Sequence, residues 1–402
     1  MLDKKRLIYK GQHIALYIDD VSTSDVIFTF SGHGANPKDL YGDGFIQSLG
    51  FSGVFFVALA NHWWQTNELN EAINIANTNT KSHTNRIVYG QSMGGYGALL
   101  CAARLKSRVV VTAPQTTLDE QNAKIPQSWM KDINQYPIIR DNIVSELIDV
   151  ESIKIIYDIK DKWDFSHVNY LQAHINWIDT YTIPYATHNL PKTLRETGII
   201  SSVIASAFKE ENDNKADFRK LINKNKKKSI SYILNLGHFV EASKNKWLYS
   251  FYKKIVTFYF DDLMSSLKKD HPQKNESLNF FSERLISINR HVEVYDSKKL
   301  IFLSRGNDPQ FEIGNLPEGN LECKLSFLSN VKSFGNVFFS RDSSIAFTPK
   351  DAISFSVSPG ITHVSFILPG SSEDRLLKIR IDPISCTGLF QILDFRFVLN
   401  NR

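Results

Sequence analysis

The spacing of apolar and polar positions divides this 402-residue chain into three regimes. Up to about residue 205, short β-branched or aromatic runs alternate with longer stretches at helical spacing, the pattern of a mostly parallel sheet covered by helices on both faces. Strands are expected at Leu7–Tyr9, Ile14–Ile18, Val26–Phe30, Val54–Leu59, Arg86–Tyr89, Val109–Thr112, Ile153–Tyr157 and Trp177–Ile183. Helices are expected at about 66–78, 94–106, 165–174 and 190–209. The run Val26–Phe30 is apolar almost throughout and stops at Ser31-Gly32-His33-Gly34, so it reads as a buried strand ended by a glycine loop.

From 212 the composition shifts to Lys, Asn and aromatic residues at helical spacing, such as Tyr249, Tyr252, Ile255 and Tyr259. We read 212–289 as a helical connector whose aromatic stripe packs into a core. After 290, strands alternate with turn residues: Leu300–Leu303, Leu321–Leu328, Ile353–Val357, His363–Leu368, Leu376–Ile381 and Phe390–Val398. That spacing, with a Gly319-Asn320 and a Pro369-Gly370 turn, indicates an antiparallel β-sandwich over 290–402.

With 42% hydrophobic residues the chain has enough apolar material for more than one core. A net charge of +5, clustered only at Lys224–Lys228, is too mild to imply nucleic acid. No window holds the run of about 18 apolar residues that a membrane span needs, and the start, Met1-Leu2-Asp3-Lys4-Lys5-Arg6, opens no apolar signal core. Cys101, Cys323 and Cys386 are far apart and odd in number, which fits reduced thiols and a cytoplasmic location. No histidine pair has metal-ligand spacing, and no metal is implied.

The chemistry concentrates at Gly90-Gln91-Ser92-Met93-Gly94, between the strand Arg86–Tyr89 and the helix opening at Gly95-Tyr96-Gly97. G-x-S-x-G carries meaning where a strand turns sharply into a helix: the serine is held in a strained conformation at the positive end of the helix, and the glycines make room for the crossing. Here the chain resembles the α/β-hydrolase superfamily over roughly residues 5 to 205. The resemblance implies a serine nucleophile, Ser92. It also implies an oxyanion hole built from the Met93 amide and the amide of His33, in the loop Ser31–Gly34 where the family often has histidine in place of Ser31.

In this fold an acid and then a histidine follow the serine. The loop after Ile153–Tyr157 offers Asp158, Asp161 and Asp164. The turn pattern of the resembling family selects Asp161, with Asp164 as the alternative and Asp158 as a strand-end cap. His188, just beyond the strand Trp177–Ile183, fits the base; His238 is a rival placed inside a helical stretch, and His167 and His174 read as structural histidines.

The segment 113–150, with Trp129 and Tyr136 among polar residues, is expected to cap the pocket. Trp63 and Trp64 read equally as a stacking platform for sugar rings or as core anchors. The β region also resembles modules of bacterial surface-polysaccharide enzymes. We therefore expect acyl-ester chemistry through an acyl-enzyme, as an esterase or deacetylase or as an O-acyltransferase, on a bacterial glycan or its precursor. No cofactor is expected, apart from an acyl donor such as acetyl-CoA in the transferase case. The competing expectations are a peptidase or thioesterase on the same triad, and a non-catalytic protein binding a glycan or a partner on a hydrolase scaffold. Oligomeric state is left open.

Overall fold

The computed structural model describes residues 5–21, 24–203, 215–267, 275–305, 308–317, 319, 321–340, 347, 352–368, 378–386 and 388–399. Several stretches used above lie outside the described residues: the start at 1–4, the end of the expected helix at 204–209, Asn320, the Pro369-Gly370 turn and residues 376–377. The chain divides into two compact units, Met1–Lys244 and Asn245–Arg402. The division between them falls within the segment 212–289.

The first unit has the α/β-hydrolase fold. Its strands are β1 (Arg6–Lys10), β2 (Ile14–Asp19), β3 (Asp25–Phe30), β4 (Ser52–Ala58), β5 (Asn85–Ser92), β6 (Arg108–Pro114), β7 (Ile153–Tyr157) and β8 (Asp179–Thr182). They form one sheet in the order β1-β2-β4-β3-β5-β6-β7-β8. The pairs β1/β2 and β2/β4 are antiparallel, and β4 through β8 are joined by parallel ladders. The unbroken apolar runs follow from this arrangement, because a central parallel strand is covered on both faces. β4 is buried along its whole length, whereas the edge strand β1 is buried at none of its positions.

The helices of this unit that position the site are α1 (Asp43–Leu49), α2 (Glu68–Asn79), α3 (Met93–Cys101), α4 (Gln127–Ile133), α5 (Ile143–Glu146), α6 (Lys162–His174) and α7 (Leu190–Glu196). α1 was not foreseen: it buries only Ile46, so it leaves no periodic apolar signal. The expected helix 190–209 instead breaks after Glu196, where Gly198 takes a left-handed φ of +72° and turns the chain. In register, Phe30 at the end of β3 lies beside Gly90 of β5, and Ser92 beside Pro114 of β6. The loops leaving β3, β5, β6 and β7 therefore open at the carboxyl end of the sheet, where open α/β sheets bind ligands.

Among its described residues the second unit carries the helices Lys246–Leu267 and Asn275–Arg284 and ten strands: β9 (Leu285–Ile288), β10 (Val292–Asp296), β11 (Ile301–Ser304), β12 (Phe311–Ile313), β13 (Leu321–Ser329), β14 (Ser333–Ser340), β15 (Ala352–Val357), β16 (Gly360–Ile367), β17 (Lys378–Asp382) and β18 (Gly388–Leu399). They form two five-stranded antiparallel sheets, β10-β11-β18-β13-β16 and β15-β14-β17-β12-β9. Leu325, Phe327 and Phe395 from one sheet share a core with Val337, Ile379 and Ile381 from the other, which makes the sandwich. Tyr252, Ile255 and Val256 of the long helix are buried, so that stripe is core.

Candidate active site

Ser92 ends β5 and stands at the N-cap of α3 with φ 55° and ψ −123°, a left-handed backbone that a non-glycine residue adopts only under constraint. The constraint is visible in the neighbouring glycines. A Cβ on Gly90 would come within 2.2 Å of the Gly94 carbonyl oxygen, and one on Gly94 within 2.2 Å of the Phe30 carbonyl oxygen. Strand, turn and helix thus cross at backbone contact. The Met93 N–H, as the first amide of α3, has no partner within its own helix, which leaves it available to an anion. The loop Ser31–Gly34 starts against this same turn: a Gly94 Cβ would also meet the Ser31 carbonyl oxygen at 3.0 Å.

Ser31 is buried and structural. Its N–H donates to the Phe56 carbonyl at 3.0 Å, and its Oγ accepts the Ala58 N–H at 2.8 Å, tying the end of β3 to the end of β4. The hydroxyl fixes the direction in which Gly32 and His33 leave the sheet.

Beneath the turn lie the two tryptophans, each only 1% exposed. Trp64 Nε1 donates to the Met93 carbonyl at 3.0 Å, and Trp63 Nε1 donates to Gln115 Oε1. Gln115 in turn donates its N–H to the Ser92 carbonyl at 3.3 Å. Of the two readings of this pair, the core anchor is the one the structure takes, because neither ring face is open to a sugar. Both residues hold left-handed φ values, 46° and 61°, so the support is itself strained.

The structure places Asp164, not Asp161, against His188. Asp161 is the N-cap of α6: its Oδ1 accepts the N–H groups of Trp163 at 3.0 Å and Asp164 at 3.1 Å. Asp164 sits one turn into the helix, buried, with Oδ1 2.6 Å from His188 Nδ1. The expectation of Asp161 against the histidine is corrected for a local reason. The first aspartate is consumed by the helix end, and the third residue after it is projected off the first turn towards the histidine loop. Burial raises the Asp164 carboxyl above its ordinary range, opposed by the hydrogen bond from His188. An ionised carboxylate only accepts, so Asp164 turns an Nδ1–H of His188 towards itself and leaves Nε2 facing away. Nε2 makes no hydrogen bond to a described residue, Ser92 included.

His188 is held by its backbone as well. Gln91 Nε2, from the residue before Ser92, donates to the His188 carbonyl at 2.6 Å. Asp158 is more than a strand-end cap: its Oδ2 accepts the Thr187 N–H at 2.8 Å and its Oδ1 accepts the Lys160 N–H at 2.8 Å. Tyr185 and Thr187 have φ values of 70° and 59°, so this loop is wound tightly around one buried carboxylate. Burial pushes the Asp158 carboxyl up as well.

Segment 113–150 brings two residues of α4 to the site. The Trp129 ring lies 5.1 Å from that of His188 and 6.3 Å from that of His33. Asp132 Oδ2 accepts from His33 Nε2 at 2.7 Å and from Asn61 Nδ2 at 3.0 Å, and the His33 hydrogen bond holds the Asp132 carboxyl below its ordinary range. The same segment is anchored further along by Gln65, whose Oε1 accepts the N–H groups of Ile139 and Arg140, each at 2.8 Å. Sequence reasoning missed Asp132 because its contact with His33 spans 99 positions and no motif encodes it.

The other three histidines weighed above have different partners. His238 is exposed on the helix Ile230–Ser243, and His174 bonds within its own helix to the Tyr170 carbonyl at 2.8 Å. His167 is buried, and its Nδ1 accepts the Thr116 N–H at 3.2 Å. Among the described residues, no helix is long and apolar enough to cross a membrane.

No protein-family model and no curated protein sequence matches the chain. Solved structures do resemble it over about half its length. An esterase of Pyrococcus furiosus has a TM-score of 0.39 at 14% identity and is covered over 90% of its own chain and 51% of this one. A structure from work on carboxylesterases of Nitrososphaera gargenis has a TM-score of 0.37 at 12% identity, with 100% of its chain and 51% of this one covered. MenH from S. aureus has 0.35 at 13%, covering 100% and 50%. Likeness at this level carries no substrate over to this chain.

Proposed function

We propose that the protein is a serine-dependent carboxylic ester hydrolase in which Ser92 is the nucleophile, His188 the base and Asp164 the acid that orients it. The observation that carries this reading is the 2.6 Å contact between Asp164 and His188, held beside the strained Ser92 turn through Gln91. Ser92 Oγ attacks the acyl carbon while His188 Nε2 takes the hydroxyl proton. The tetrahedral oxyanion is received by the amides of Met93 and His33. The acyl–oxygen bond to the alcohol then breaks, and His188 returns the proton to the leaving oxygen. Water, deprotonated by the same Nε2, attacks the acyl-enzyme and releases the acid and Ser92.

A fluorophosphonate probe and p-nitrophenyl acetate, applied to the wild type and to Ser92→Ala, test the reading. Covalent labelling and ester turnover by the wild type, both lost in the variant, are expected. A wild type that neither labels nor turns over the ester would remove the proposal.

A further inference from the structure

We propose that the cleft on the β3–β4 side of the oxyanion loop is the subsite for the alcohol half of the ester, and that it takes an uncharged, polyhydroxylated group. The inference rests on the ester-hydrolase reading above and adds the chemistry of the leaving group. The cleft has a volume of about 350 Å³, within the range of small-molecule sites. One wall is Gly32, where a Cβ would lie 3.7 Å from the carbonyl oxygen of Gln91, the residue before the nucleophile. Gly32 and Gly34 of the wall flank His33, so a group seated there borders the loop that carries the second oxyanion amide.

The polar lining is Asn61, Asp132, Gln135 and Tyr136, and the rest of the wall is glycine, alanine, proline and leucine. Asn61 Oδ1 accepts the Gly34 N–H at 2.8 Å while its Nδ2 donates to Asp132, so the amide is oriented and the carboxylate is fixed against the loop. The Tyr136 hydroxyl makes no hydrogen bond to a described residue and remains open to a ligand. A carboxylate, two side-chain amides and a phenol answer hydroxyl groups, which donate and accept at once. Among the described residues the lining has no lysine or arginine, so an anionic group such as a phosphate or a carboxylate would be set against the Asp132 carboxylate. A hydrocarbon acyl chain would bury the same polar atoms without partners. The acyl half therefore lies elsewhere, and the hydroxyl-bearing half lies here. A sugar ring and glycerol share this chemistry.

The test compares kcat/KM, by proton release, for the monoacetate of methyl glucoside, monoacetylglycerol and n-butyl acetate. The enzymes are the wild type and the double variant Gln135→Ala/Tyr136→Phe, whose two changes remove surface polar groups. We expect the wild type to favour at least one hydroxylated ester over the butyl ester by about tenfold or more, and the double variant to lose about tenfold of that preference. Preference for the glucoside alone assigns the cleft to a sugar, and preference for the glycerol ester alone assigns it to glycerol. A wild type without the preference, or a double variant that keeps it while melting at the wild-type temperature, overturns the subsite. Hydrolysis of none of the three by a protein that still labels at Ser92 also overturns it and leaves the nucleophile standing. Absence of labelling brings down the reading beneath it.

Discussion

Asp164 Oδ1 lies 2.6 Å from His188 Nδ1, and the Asp164 N–H donates to Asp161 Oδ1 at 3.1 Å, so one aspartate caps the helix from which the other reaches the histidine. The two carboxylates must then fail differently. Asp164→Asn keeps the shape but no longer enforces the Nδ1–H tautomer, and kcat should fall about 10³- to 10⁴-fold. Asp161→Ala removes a cap worth about 1 kcal/mol, lowering the melting temperature by a few degrees and kcat by less than about tenfold. Steady-state rates and thermal melts of the two variants separate the roles. An Asp161→Ala protein as inactive as Asp164→Asn would sink the assignment.

This pair also shows where the sequence was legible and where it stopped. Ser92 could be read because everything that makes it a nucleophile is local: a β-rich run, glycines at fixed offsets and a helix. The parallel strands could be read because burial on both faces leaves unbroken apolar runs such as Val26–Phe30. Asp161 and Asp164 are both local too, and the D-x-x-D spacing at a helix start was itself a capping signal. The choice between them depended on which side chain meets a loop more than twenty residues away. In the sandwich, β12 was missed because it has three residues, and β14 because Gly335 and Asn336 stand in mid-strand and imitate a turn. Asp158 was read only as a cap because its Thr187 contact spans 29 positions.

That contact makes Asp158 a positioning residue. Asp158→Ala leaves the Thr187 and Lys160 amides without their acceptor, at a cost of about 1–3 kcal/mol for each that stays buried. The left-handed Tyr185 and Thr187 can then relax, and His188 with them. We expect the fluorophosphonate labelling rate of Ser92 and kcat to fall together by about tenfold or more, with KM changing little. Asp158→Asn, which keeps one acceptor oxygen, should recover part of both. Labelling at the wild-type rate in Asp158→Ala would show that the loop holds itself.

Gly94 is expected to tolerate no side chain. An alanine Cβ there would stand 2.2 Å from the backbone oxygen of Phe30, which is fixed in the middle of the sheet and cannot swing aside. Gly94→Ala should cost about 3 kcal/mol or more and shift the Ser92 turn. Urea unfolding of Gly94→Ala checks the stability, and loss of labelling in whatever protein stays folded checks the turn. A variant with wild-type stability would mean that β3 and α3 are not packed as described.

His167 links the site to the pH dependence of folding. It is buried beside His188, with Nδ1 accepting from Thr116, and burial first and the His188 charge second press its pKa from 6.5 down to about 3. A base with a depressed folded pKa binds protons in the unfolded chain before it does so in the folded one. Its contribution is complete above the unfolded value of 6.5 and is lost as pH falls through the window from 6.5 towards 3. Between pH 7 and pH 5 the loss should be about 2 kcal/mol. The raised carboxyls of Asp158 and Asp164 act in the opposite sense, since they bind protons more tightly when folded, but they do so around and above the ordinary carboxyl range near pH 4. The comparison of His167→Gln with the wild type isolates the histidine from them. Unfolding free energies from urea titration should fall between pH 7 and pH 5 for the wild type, and should fall by about 2 kcal/mol less for the variant. Equal slopes for the two proteins would mean that His167 takes up its proton in the folded state, and that the wall behind His188 is wet.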